Sequence, residues 1–162
     1  MNLLFALLHR LDEARAAFES LLPRLNPSLP IYPNWTLKEL LDHMSGWDET
    51  IVSALEAHLS GTVPGPLAVQ HIDAYNDILI ARRASLSLEQ SRKEFQSTRA
   101  ELRKVLSVVP ENMLAIPLLF PWGEQMTLSE LVELLARHEE EHTADLLRWL
   151  EHPERPLVED SA

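Results

Sequence analysis

Apolar residues recur at alternating steps of three and four along most of this chain, and Pro and Gly separate one such run from the next. This spacing places the apolar side chains on one face of an α-helix. In the first run the apolar positions are Leu4, Leu7, Leu8, Leu11, Ala14, Phe18, Leu21, Leu22 and Leu25. Pro27, Pro30 and Pro33 follow, so we predict an amphipathic helix that ends before them.

Three further helices are marked by a capping box, in which a Ser or Thr precedes a Glu or Gln by three residues. The pairs are Thr36 with Glu39, Ser87 with Gln90, and Thr127 with Glu130. We expect these helices to end near residues 60, 109 and 150, where Gly or Pro follows. Residues 69–84 read as a shorter helix, and no stretch alternates with period two, so little or no sheet is expected.

The predicted fold class is therefore all-α, a four-helix bundle with an additional short helix between the second and third long helices. A chain of 162 residues that is 46% hydrophobic can bury one sizeable core. We expect a single domain over residues 1–152 and a C-terminal tail over residues 153–162. The Pro-rich connection over residues 111–126 is apolar enough to cover a pocket.

Charge and composition exclude several classes of function. With 14 basic and 25 acidic residues, the formal net charge of −11 repels phosphate backbones and anionic lipid, so no nucleic-acid partner is expected. No apolar run approaches the ~20 residues that span a bilayer, so no membrane partner is expected either. The chain has no cysteine, so thiol chemistry would require an external thiol. We expect a cytoplasmic protein.

The last predicted helix carries two histidines in its apolar stripe. Leu128, Leu131, Leu135, His138 and His142 follow the same steps of three and four. Residues four apart lie about 6 Å apart along the axis on one face, which suits two imidazoles binding one ion. His43, beside the apolar stripe of the second helix, is the best third ligand. Gly46, one turn later, suggests that space is needed near it, although a tolerated weak position in the helix explains this glycine as well.

Three imidazoles without a thiolate leave coordination positions open, as in a catalytic metal site. Such ligands suit zinc, nickel, iron or copper, and an open position activates a bound water or thiol as a nucleophile. Asp145 lies about 40° by helix angle from the middle of the two-histidine face. It is the candidate catalytic residue, as the carboxylate best placed to orient a ligand or accept a proton.

A structural interpretation fits the spacing equally well, because core histidines are usually hydrogen-bonded and the chain has seven. His9, His58, His71 and His152 show no partner spacing and read as surface or local contacts. Residues 138–142 also match the zinc-protease pattern with Glu139 as base, but little chain follows for a third ligand. We interpret Glu139 and Glu141 as a solvated face, each about 80° from the histidine direction.

The residues also resemble a known family, the DinB/YfiT-like superfamily of metal-dependent four-helix bundles. The resemblance covers nearly the whole chain, and it is carried by residues 35–44 with Trp47 and by residues 127–131 leading to His138 and His142. It implies that His43, His138 and His142 bind the metal. Residues 73–76, 82–83 and 121–123 look like the ClbS/DfsB branch, which includes a protein that hydrolyses a reactive cyclopropane, and the wider superfamily includes thiol-dependent transferases and isomerases.

The leading hypothesis is thus a divalent-metal-dependent enzyme, with zinc or nickel, or else iron, held by His43, His138 and His142. The ion would activate water or a low-molecular-weight thiol cosubstrate toward a small-molecule electrophile, as a hydrolase or thiol transferase. The alternative is a non-catalytic helical bundle that acts as a binding or stress-response module. Bundles of this type often pair through an apolar helix face, so we expect a homodimer.

Overall fold

The computed structural model describes residues 2–158 and confirms the predicted all-α class. The helices are α1 (Leu3–Glu19), α2 (Leu37–Leu59), α3 (Ile72–Ala81), α4 (Leu88–Ser107) and α5 (Leu128–Glu151). Short 3₁₀ turns follow α1 at Leu22–Arg24 and α4 at Glu111–Met113. Two strands of two residues each, β1 (Leu118–Leu119) and β2 (Gln125–Met126), pair antiparallel. Met1 and residues 159–162 of the expected tail lie outside the described residues.

The four long helices form the bundle, in which α2 packs mainly on α4 and α1 mainly on α5, while the short α3 packs on α2. The three predicted capping boxes are present at the starts of α2, α4 and α5. No helix within residues 2–158 combines the length and the apolar character needed to cross a bilayer.

The first helix is shorter than predicted. It ends at Glu19, and residues 22–24 form a 3₁₀ turn instead of continuing the helix to Leu25. The reason is Pro23, whose ring would clash with the carbonyl group four residues earlier, at Glu19, and which has no N–H to donate. Leu21 and Leu25 are buried all the same, because the turn folds them back onto the core.

The short α3 approaches α2 closely at Gly46. A Cβ atom at Gly46 would lie 2.7 Å from the Cβ atom of Leu79, a separation that side chains do not tolerate. The glycine therefore makes room for a neighbouring helix, and the expectation that it makes room at the histidine site is wrong. α3 itself is shorter than the predicted range 69–84.

Two apolar clusters fill the bundle, and a layer of buried charge lies between them. Each long helix contributes one charged residue to this layer: Arg15 from α1, Asp48 from α2, Arg99 from α4 and Glu139 from α5. On each helix the charged residue stands between side chains of one cluster and side chains of the other, as Arg15 stands between Leu11 and Phe18. We call these four residues the charged layer.

The charged layer pairs each guanidinium with both carboxylates. Arg15 donates to Glu139 at 2.6 Å and to Asp48 at 3.2 Å, and Arg99 donates to Asp48 at 2.9 Å and to Glu139 at 3.0 Å. Glu139 is only 1% exposed, so its interpretation as part of a solvated face is wrong. Glu139 points about 80° away from the histidine direction, and on this side too α5 is covered by neighbouring helices.

The connection between α4 and α5 folds as a small hairpin. Leu118 pairs with Met126 and Leu119 with Gln125, and Gly123 takes a left-handed conformation with φ of 92° in the turn. The N–H of Leu67 donates to the carbonyl of Pro121 at 3.0 Å. This bond joins the hairpin to the loop that follows α2.

Candidate metal centre

The imidazoles of His43, His138 and His142 converge. His43 comes from α2 and the other two from successive turns of α5. The Nε2 atom of His43 lies 3.1 Å from that of His138 and 3.4 Å from that of His142, and the two α5 histidines are 3.0 Å apart at Nε2. The structure thus brings together the three residues singled out as ligands, and all three present the same ring nitrogen to a common centre.

These separations can be compared with the geometry of a bound ion. With metal–nitrogen bonds of about 2.1 Å, two ligand atoms are about 3.4 Å apart in a tetrahedron and about 3.0 Å apart at adjacent corners of an octahedron. The three Nε2 separations of 3.0, 3.1 and 3.4 Å fall within that range. The donor set and its spacing therefore fit a divalent ion bound by one face of either polyhedron.

Burial keeps the imidazoles neutral, which is the form that binds metal. It is the main cause that lowers the pKa of His43 and of His142 well below the ordinary value of 6.5. The close approach of the rings acts in the same direction, because protonation of one imidazole disfavours protonation of its neighbours: His138 lowers the pKa of both His43 and His142. Burial also lowers the pKa of His138, although the carboxylates of Glu141 and Asp48 act in the opposite direction.

The Nδ1 atom of His142, the ring nitrogen that does not face the other two histidines, is held by residues outside the three-histidine centre. The Tyr32 hydroxyl lies 2.8 Å from Nδ1 of His142 and donates to Oδ2 of Asp145 at 2.6 Å. The other oxygen of Asp145 accepts from Arg148. Sequence reasoning missed Tyr32, because it lies in an irregular connection between α1 and α2 where no helical spacing relates it to the histidines.

Asp145, the candidate catalytic carboxylate, is 5% exposed and lies on the Nδ1 side of His142. It is joined to that ring through Tyr32 and is not among the residues that line the cleft described below. The arrangement suits a residue that orients a ligand, the first of the two roles considered for it.

The corresponding nitrogen of His43, also Nδ1, is in a different environment. This atom is buried and forms no hydrogen bond within residues 2–158, although the side chain of Asn76 favours the charged form of the ring. The ring of Trp35 packs against His43 with the centroids 4.9 Å apart. His43 is therefore held mainly by packing, whereas His142 is held by hydrogen bonds.

A cleft of about 500 Å³ opens onto the centre, with His43 and His138 in its wall. This volume lies within the range of small-molecule sites. Its apolar walls include Trp47, Trp122, Ile51, Ile72, Leu134 and Leu135. Its polar groups are Gln70, Asn76, Glu124, Arg137 and Glu141.

Two features of the chain shape this cleft. Trp122 and Glu124 come from the hairpin connection, which supports the expectation that this segment covers a pocket. The indole N–H of Trp47 donates to Oδ1 of Asn76 at 2.8 Å, and this bond fixes the orientation of the Asn76 amide. The cleft is thus apolar with a few fixed polar groups.

The remaining histidines and the protease pattern do not contribute to the centre. The ring of His58 contacts the carbonyl of Leu119 at 2.7 Å, and His9 lies beside Glu13 on the surface. Glu139, the base that the protease pattern would require, is bound by Arg15 and Arg99 in the charged layer. It has no free oxygen directed at a substrate.

Comparisons with known proteins agree with this architecture. The sequence profile described as the DinB superfamily matches residues 4–146. No curated protein sequence was found to match the chain. Among solved structures, the mycothiol-dependent maleylpyruvate isomerase superposes with a TM-score of 0.74 at 16% identity. That likeness covers 90% of this chain and 61% of the isomerase, so the chain spans less than two thirds of its length.

Two further structures are similar along most of their length. The sibling lethal factor precursor DfsB has a TM-score of 0.76 at 16% identity, covering 97% of this chain and 99% of DfsB. An uncharacterised protein from Escherichia coli UTI89 has a TM-score of 0.71 at 14% identity, covering 93% of this chain and 94% of that protein. At these identities the structures share the fold with this chain.

Proposed function

Because the chain belongs to the DinB superfamily, we propose that it is a divalent-metal-dependent enzyme in which His43, His138 and His142 hold the ion. The observation that carries the proposal is the convergence of three neutral imidazoles, two buried and that of His138 half-buried, at the end of an open cleft. A buried histidine with a purely structural role usually forms hydrogen bonds from its ring nitrogens to groups other than histidine. Here three like nitrogens face one another, an arrangement that a shared cation stabilises.

The bound ion would supply Lewis acidity toward a water molecule or a thiol. The chain's own residues would bind and orient the substrate. Trp47 and Trp122 offer apolar walls to the body of a small electrophile, and Asn76 offers amide N–H groups to a substrate oxygen. Arg137 and Glu141 line the same cleft as polar contacts for substrate or cosubstrate.

The nucleophile is proposed to be water or an external low-molecular-weight thiol. The chain has no cysteine of its own, and a thiol-dependent isomerase shares its fold. The resulting activity would be that of a hydrolase or a thiol-dependent transferase acting on a small electrophile. For the ion, an all-imidazole donor set favours zinc or nickel, with iron as a further candidate.

The first experiment measures metal. Purified protein, as isolated and after titration with zinc or nickel, should contain about one equivalent by elemental analysis. The double variant His138→Ala/His142→Ala should bind none at this site, and His9→Ala, which changes an exposed histidine, should bind like the wild type. Equal metal content in all three proteins would contradict the proposal.

The second experiment identifies the reaction class. Metal-loaded protein is incubated with small electrophiles such as epoxides and activated cyclopropanes, with and without a low-molecular-weight thiol. Mass spectrometry then distinguishes addition of water from addition of the thiol. The double histidine variant is the control. If the wild type and the variant consume these electrophiles equally, the protein does not catalyse a metal-dependent reaction with any of them.

Three other expectations remain predictions. They are the homodimer, the cytoplasmic location and the division into a domain over residues 1–152 and a tail over residues 153–162. For the division, the N–H of Leu157 donates to the carbonyl of Ile31 at 2.7 Å, so the described part of the tail contacts the loop that carries Tyr32. Sedimentation equilibrium would measure the oligomeric state.

A further inference from the structure

Tyr32 reaches the metal centre from a tightly bonded loop. The N–H groups of Ile31 and Tyr32 both donate to the carbonyl of Trp35, and the N–H of Trp35 donates back to Tyr32. The Tyr32 side chain is 6% exposed, and its ring stands edge-on to His142 with the centroids 5.9 Å apart. Its hydroxyl is therefore fixed in place by both backbone and ring packing.

The hydroxyl has one proton and two close neighbours, so the proton's position decides the state of His142. Asp145 accepts from Tyr32 at 2.6 Å and also accepts from Arg148, as expected of an ionised carboxylate. Because the Tyr32 hydroxyl uses its only hydrogen in the bond to Asp145, its oxygen can act only as an acceptor toward Nδ1 of His142, 2.8 Å away. Nδ1 of His142 must then carry the hydrogen.

We propose that Tyr32 and Asp145 are positioning residues that hold His142 in its Nδ1–H tautomer, so that Nε2 presents a bare lone pair to the shared centre. The tautomer with hydrogen on Nε2 is the one that histidine prefers in water, and it would direct an N–H at the nitrogens of His43 and His138. The relay from Asp145 through Tyr32 reverses that preference. The expected effect of Tyr32 and Asp145 on metal binding rests on the proposed function, whereas the expected tautomer of His142 does not.

The tautomer can be measured in metal-free protein by long-range ¹H–¹⁵N spectra of the imidazole rings, with His142→Gln used to assign the signals. In the wild type, His142 should be in the Nδ1–H form. Tyr32→Phe should move it to the Nε2–H form or a mixture. The matched control is Tyr75→Phe, since Tyr75 is the other tyrosine of the chain and its hydroxyl contacts Thr50 instead.

Asp145→Asn provides a second variant of nearly the same shape, should Tyr32→Phe fail to fold. An asparagine amide can donate to the tyrosine oxygen, which frees the Tyr32 proton for Nδ1 of His142. This variant should also move His142 toward the Nε2–H form. An Nε2–H form in the wild type, or an unchanged Nδ1–H form in a folded variant, would overturn the proposal.

Zinc affinity, measured by competition with a chromophoric chelator, gives the functional readout. Tyr32→Phe and Asp145→Asn should each weaken zinc binding by about 10- to 100-fold, the usual effect of removing a partner of a metal-bound histidine. Tyr75→Phe should leave it unchanged. If the tautomer responds as expected and the wild type binds no metal, the proposed function fails while the role of the relay stands.

Discussion

Arg99 of α4 and Glu139 of α5 form a doubly bonded ion pair in the interior of the bundle. The guanidinium donates to one carboxylate oxygen at 3.0 Å and to the other at 3.1 Å, and both side chains are less than a tenth exposed. Glu139 adjoins His138 in the sequence, so the pair fixes the rotation of α5 on the same turn that carries a metal-ligand candidate. The charged layer therefore links stability to the geometry of the site.

Removing one charge from this layer should be costly. Glu139→Gln leaves Arg15 and Arg99 with Asp48 as their only carboxylate in the layer, and breaking a buried pair of this kind costs about 3–5 kcal/mol. Urea unfolding of the metal-free protein measures the loss. The control is Arg103→Gln, which breaks an exposed pair with Asp12 and should cost about 1 kcal/mol or less. Equal losses would show that the layer does not stabilise the bundle.

Gly46→Ala should destabilise the protein although it adds a better helix former. The added Cβ atom would lie 2.7 Å from that of Leu79, and overpacking of this kind costs about 1–3 kcal/mol, against a gain of about 1 kcal/mol in helix propensity. Gly65→Ala is the control, because nothing lies within 4 Å of its added methyl group. A lower thermal midpoint for Gly46→Ala alone is expected; a gain in both variants would contradict the contact.

The metal-free protein should lose stability as the pH falls below about 6.5, the pKa of histidine in the unfolded chain. The pKa values of His43 and His142 in the folded protein lie well below that value, so the unfolded state binds protons first and is favoured. Above 6.5 neither state is protonated there, and these groups have no effect.

Urea unfolding measured at several pH values tests this sign. Carboxylates also titrate at low pH, so the informative quantity is the difference between the wild type and the double variant His43→Gln/His142→Gln. The variant should show a shallower loss of stability on acidification between about pH 6.5 and pH 5. Parallel curves would mean that the histidines are not buried as neutral groups.

Zinc should raise the thermal stability of the folded protein. At a free concentration of about one hundred times Kd, binding to the folded state alone adds about 2.7 kcal/mol to the free energy of unfolding. For a domain of this size that corresponds to a shift of Tm of roughly 5–10 °C. A chelator should reverse the shift, and His138→Ala/His142→Ala should not show it. An equal shift in that variant would place the binding elsewhere.

Local patterns predicted the helices well but not every boundary. The capping boxes at Thr36, Ser87 and Thr127 begin helices as predicted, because a cap depends only on residues within one turn. The end of α1 was misplaced, although Pro23 was a local signal for it. Glu139 was placed in solvent because helix angle alone does not show how much of a helix is covered by its neighbours.

The sequence by itself determined that His138 and His142 share one face of a helix, since the repeat of 3.6 residues per turn fixes the neighbours of any helical residue. It also identified His43 as a candidate. Only the tertiary structure decided that the ring of His43 meets the other two, that Tyr32 reaches His142 from the loop after α1, and that four charges form one layer. Those contacts join residues far apart in the chain, and they depend on how the helices are rotated and spaced when the apolar clusters pack.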